Sequence, residues 1–169
     1  MDESMLAEAR DTDKYIITEK EITYRDVKRY EAPDKVYILD SPQTVMDFMS
    51  DLFDEKPIEA LYAIALDSAN EFLGFVKLAQ GTVNRSAVYP RALVSFLLVE
   101  TNATAVVLAH NHPGGSAMPS RSDVELTERA QKALRDLDVQ LLDHLIYVPA
   151  RVGREAQWVS LRERGEIAI

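Results

Sequence analysis

The stretch Ala105-Val106-Val107-Leu108-Ala109-His110-Asn111-His112-Pro113-Gly114-Gly115-Ser116-Ala117-Met118-Pro119-Ser120-Arg121-Ser122-Asp123 sets the architecture of this chain. An apolar run reads as a buried strand and ends on two histidines. A Gly/Pro-rich loop follows, and Ser120 then opens a long amphipathic helical pattern. Residues i and i+2 of a strand point to the same face, about 6–7 Å apart along it. His110 and His112 can therefore offer two imidazole nitrogens to one ion. Asp123, returned by the loop to the first turn of the next helix, is the candidate third ligand.

Two histidines and one carboxylate with an open fourth position is a catalytic zinc pattern. The chain has no cysteine, so a thiolate site is excluded. A simpler reading accounts for the same residues one at a time. Ser120 is a good N-cap, Asp123 at the third helical position favours the helix dipole, and the histidines could anchor a loop. The two readings are compatible for Asp123, which has two oxygens.

The composition narrows the field. With 169 residues, the length fits one domain with a sizeable core. Zero cysteines fit a reducing, cytoplasmic setting. Met1-Asp2-Glu3-Ser4-Met5 lacks the apolar segment of a signal peptide, and no run approaches a membrane span. A net charge of −9 argues against strong binding to nucleic acid, because duplex binding rests on Lys and Arg at phosphates.

Periodicity supplies the remaining elements. Ser41-Pro42 starts a helix with the stripe Val45, Phe48, Met49, Leu52 and Phe53. Glu59 to Asp67 reads as a buried strand. Ser68-Ala69-Asn70-Glu71 is turn chemistry, and Phe72 to Leu78 returns as the second strand of a hairpin. Tyr89-Pro90-Arg91 opens a helix with Leu93, Phe96 and Leu97 on one face, ending near Asn102. The helix capped by Ser120 runs to about Leu137. Strands are expected over 139–148 and 157–161. Short strands at 15–18 and 21–24 and an extended lead-in at 36–39 complete the reading. Strands mixed with helices suggest an α/β (α+β) sandwich with a mixed sheet flanked by helices. We divide the chain into an N-terminal extension, 1–40, and a domain, 41–169.

His110-x-His112, Ser120 and Asp123 together resemble the JAMM (MPN-plus) metallopeptidase signature. His110-Asn111-His112-Pro113, Pro119-Ser120-x-x-Asp123 and Asp143-His144-Leu145-Ile146 are similar to the RadC branch of that family. The resemblance covers roughly residues 41–167. It implies a cytidine-deaminase-like three-layer sandwich and one zinc ion per chain, held by His110, His112 and Asp123. It implies a general base at the start of an early strand, where Glu59 stands ahead of Leu66-Asp67, with Glu55 as a competitor. Ser120 would steady the water or the oxyanion. Asp143, by family position, would hold a ligand imidazole, while His144 reads as a satisfied core or supporting histidine rather than a ligand. The chain departs from the pattern at Ala92, where RadC proteins commonly carry Glu. It also shows no helix-hairpin-helix pattern in residues 1–40.

The resemblance implies a zinc peptidase acting on a peptide or protein. A DNA-repair role or metal-dependent nuclease, and a non-catalytic interaction module, are the alternatives. The sequence does not fix the oligomeric state.

Overall fold

The computed structural model describes residues 36–54, 56–81 and 90–168. The expected strands at 15–18 and 21–24, and the competing Glu55, lie outside them. Among the described residues the elements run α1 (Pro42–Asp54), β1 (Ala60–Leu66), β2 (Phe72–Gln80), α2 (Pro90–Ser95, continuing as a π-helical turn, Phe96–Thr101), β3 (Ala105–Asn111), α3 (Arg121–Arg135), β4 (Gln140–Val148) and β5 (Gln157–Ser160). The five strands form one mixed sheet in the order β2-β1-β3-β4-β5. The β3–β4 pair is parallel and the other three are antiparallel. The fold is the expected α/β sandwich.

Strand parity builds the layers. On one face, Ala60, Tyr62, Ile64 and Leu66 of β1 join Ala105, Val107 and Ala109 of β3 and pack against Val45, Met46, Met49 and Phe53 of α1. On the other, Leu61, Ala63 and Ala65 join Val106 and Leu108 and pack against Leu93, Phe96 and Leu97 near α2 and Leu126, Ala130 and Leu134 of α3. Every residue of β1 and β3 is buried, as expected for central strands covered on both faces. The 36–39 lead-in is a single bridge, Ile38 to Glu71, rather than a strand.

The ends are fixed by local chemistry. Ser41 Oγ accepts from the Thr44 backbone N–H at 3.2 Å, which caps α1. In the β1–β2 turn, Asp67 Oδ1 accepts from the backbone N–H of Ala69 and of Glu71, both at 2.8 Å. Asn102 takes a left-handed conformation and ends the turn that extends α2.

One irregularity matters for the site. Val106 pairs with Leu141, but Val107 pairs with Asp143, so Leu142 is an extra residue in β4. Before this bulge, odd-numbered side chains of β4 face α3, as Leu141 does. After it they face α1, as Leu145 and Tyr147 do. The bulge turns Asp143 away from α3 and His144 towards it.

Candidate metal centre

The sheet register assembles the centre. Leu61 of β1 lies opposite His110 of β3 in an antiparallel pair. Extending that register by two residues sets Glu59 opposite His112, on the face that α3 covers. The capping box of α3 brings the fourth group: Ser120 Oγ accepts from Asp123 N–H, and Asp123 reaches back to the Ser120 backbone.

Four side chains converge. One ligand atom each from Glu59, His110, His112 and Asp123 all lie within 4.8 Å of one another. Asp123 Oδ1 is 3.5 Å from His110 Nε2, and Asp123 Oδ2 is 3.7 Å from His112 Nε2. Glu59 Oε1 is 3.8 Å from both Nε2 atoms, which are themselves 2.8 Å apart. Beside them is a small cavity of about 20 Å³ lined by Glu59, His110, Asp123, Leu126 and His144, among others.

Burial distinguishes residues that distance leaves equivalent. The side chains of His110 and Asp123 are 3% and 4% exposed, whereas Glu59 is 22% and His112 13% exposed. His110 and Asp123 form the floor, and Glu59 stands on the more solvent-exposed side.

The donor chemistry fits a cation. His112 Nδ1 lies 2.7 Å from the Ser116 carbonyl oxygen, which can only accept. The neutral ring is therefore protonated at Nδ1, and Nε2 turns its lone pair to the cluster. Asp123 is held by its other oxygen's bonds: Oδ2 accepts from Ser120 N–H at 2.7 Å and from Ser120 O–H at 2.6 Å. Two imidazoles and two carboxylates, with no thiolate, are a donor set suited to zinc. One carboxylate thus both caps α3 and faces the cluster.

Asp143 corrects a sequence expectation. It does not hold a ligand imidazole. Its carboxyl accepts from Ser160 O–H at 2.5 Å, His144 N–H at 2.7 Å and Arg162 N–H at 3.1 Å. Burial pushes its pKa above the usual carboxylate value, although these three bonds oppose the rise. The bulge at Leu142 is the physical reason. His144, its neighbour, takes the place beside His110, with Nε2 2.8 Å from His110 Nδ1.

Other residues at the centre carry no recognisable sequence signal. Asn111, fully buried, ties the end of β3 to the segment bearing Glu59. Arg154 Nη1 donates to the Gly115 carbonyl at 2.8 Å, and Arg151 donates to the Pro113 carbonyl, so a distant turn clamps the loop after His112. Thr127, four residues beyond Asp123, faces inward from α3 and touches His144.

Comparison with known proteins gives the family. The family model described as a RadC-like JAB domain matches residues 39–166. The chain belongs to the RadC-like JAB domain family. A UPF0758 protein of Shewanella pealeana is 41% identical over 130 residues, covering 77% of this chain and 55% of that protein. A UPF0758 protein of Pseudomonas fluorescens is 44% identical over 109 residues, covering 64% and 48%. The chain thus spans about half the length of the curated relatives it matches. Among the described residues, no helix of this RadC-family chain is long and apolar enough to cross a membrane.

Proposed function

We propose that this domain is a zinc-dependent peptidase that hydrolyses a peptide or isopeptide bond in a peptide or protein substrate. The observation that carries the reading is the convergence of Glu59, His110, His112 and Asp123 on one point beside a small cavity. His110, His112 and Asp123 would hold the ion. When bound, zinc supplies Lewis acidity, acidifying water and polarising a carbonyl.

The protein groups divide the remaining work. Glu59, the most exposed of the four, takes the proton from the attacking water and delivers it to the leaving amine. Its position at the mouth, outside any regular strand, suits a group that must meet both water and substrate. Ser120 has two tasks. It holds Asp123 through its N–H and hydroxyl, and its hydroxyl supports the developing oxyanion by exchanging that bond. Loss of one such donor typically raises a barrier by about 2.7–4 kcal/mol.

Metal content by elemental analysis tests the reading, on wild type and on the His110→Ala/His112→Ala variant. Near-stoichiometric zinc that the variant loses is expected. A peptide-substrate screen should then find an activity that Glu59→Gln abolishes while zinc is retained. Absence of zinc from the wild type, even after it is offered at neutral pH, would remove the peptidase reading.

A further inference from the structure

Behind His110, a chain of three contacts runs back to the helix that carries Asp123. His110 Nδ1 lies 2.8 Å from His144 Nε2, His144 Nδ1 lies 2.6 Å from Thr127 Oγ1, and Thr127 Oγ1 lies 2.6 Å from the Asp123 carbonyl oxygen. Every member is buried: His110 is 2% exposed, Asp123 3%, Thr127 1% and His144 1%. Water is therefore a poor substitute partner along this path.

The chain has a preferred polarity, fixed at its far end. A carbonyl oxygen only accepts, so the one hydroxyl proton of Thr127 goes to Asp123. Thr127 Oγ1 then accepts from His144 Nδ1–H. His144 Nε2 is left with a lone pair and accepts from His110 Nδ1–H. His110 Nε2 is left unprotonated, facing Glu59, His112 and Asp123. We infer that Thr127 and His144 are positioning residues that set the tautomer and ring orientation of His110 for metal binding, an inference that rests on the metal-site reading above.

The opposite polarity shows what Thr127 prevents. If its proton turned to His144, His144 Nε2–H would donate to His110 Nδ1. His110 would then carry its proton on Nε2, 2.8 Å from His112 Nε2. The two imidazoles would bond to each other and present a proton where the ion belongs. That state also sets the Thr127 and Asp123 oxygens 2.6 Å apart with no proton between them, whereas the first leaves the Nε2 lone pairs of His110 and His112 2.8 Å apart, a contact that a cation at the cluster relieves. One hydroxyl rotor thus separates a centre that accepts a cation from one that rejects it. The relay also couples two ligands, because Asp123 offers its carboxylate to the ion and its carbonyl to the chain that orients His110. Partners of this kind typically change metal affinity 10–100-fold when removed.

The test is zinc affinity, measured by competition with a chromophoric chelator. Thr127→Val keeps the shape and removes the hydroxyl, and it should weaken zinc binding about 10–100-fold. Thr127→Ser should restore binding close to wild type. A folded Thr127→Val protein with wild-type affinity overturns the inference and leaves the metal reading standing. Failure of the wild type to bind zinc overturns both. A second measurement needs no variant and no metal. Imidazole nitrogen shifts of the metal-free wild type at neutral pH should show Nδ1–H on both His110 and His144, and a proton on His110 Nε2 instead overturns the inference.

Discussion

Asn111 grips the chain on both sides of Glu59. Its Oδ1 accepts from the Ala60 N–H at 2.8 Å, and its Nδ2 donates to the carbonyls of Ile58 and Lys56, each at 3.3 Å. The residue between the two histidines points to the opposite face from them, by strand parity. It uses that orientation to fix the strand start that presents the candidate base. Asn111→Ala would leave the buried Ala60 N–H unsatisfied, at about 1–3 kcal/mol, while the part-buried Ile58 and Lys56 carbonyls can turn to water. The expected result is a clear loss of stability in urea unfolding, with zinc affinity falling far less than in His110→Ala. Unchanged stability would mean that the clamp is dispensable.

The two glycines of the loop are not equivalent. Gly115 has a φ of +97°, and a Cβ there would clash with the Arg154 guanidinium. Gly114 has nothing within 4 Å of such a Cβ and no positive φ. Gly115→Ala should cost about 1–2 kcal/mol from backbone conformation alone, and displacement of Arg154 adds to it. Zinc binding should weaken with it, because the adjoining Ser116 carbonyl orients His112. Gly114→Ala should stay within about 0.5 kcal/mol of wild type. Thermal unfolding of the two variants decides the matter, and equal behaviour would show that Arg154 yields freely.

Much of this centre could be read from the chain. Period-two spacing put His110 and His112 on one face, the Ser-x-x-Asp pattern gave the cap, and the Ser41-Pro42 start located α1. Glu59 was reachable through the resemblance, since an acidic residue before a strand has no signature of its own. The role of Asp143 rests on family position alone, and the sequence carries no pattern that would mark the bulge beside it. Uninterrupted alternation from Leu141 puts Asp143 on the α3 side, and the extra residue at Leu142 reverses it. Asn111, Thr127 and Arg154 act through partners that are distant in sequence or reached through the backbone, and periodicity does not encode such partners.

Metal binding and stability should be linked. A ligand that binds only the folded chain stabilises it by about 2.7 kcal/mol at a hundredfold excess over its Kd. Zinc should therefore raise the unfolding midpoint of the wild type, and a chelator should lower it again. His112→Ala should abolish most of this response, because it removes one of two imidazoles meeting at the cluster. A zinc-dependent shift that persists in full in that variant would place the ion elsewhere on the chain.

The pH response of Asp143 tests the far side of the sheet independently of metal. Burial raises its pKa, so the folded state disfavours its ionised form. For a group raised on folding, the stabilising contribution is complete below the unfolded value, near 3.8, and is lost as pH rises through the folded value. Asp143→Asn removes the titration. Its amide oxygen can accept from the His144 and Arg162 N–H groups, and its NH2 can donate to Ser160. The stability of Asp143→Asn relative to wild type should therefore improve from pH 4 to pH 7 in urea unfolding with chelator present. A relative stability that worsens over that interval would mean that the Ser160, Arg162 and His144 bonds outweigh burial and stabilise the ionised carboxylate.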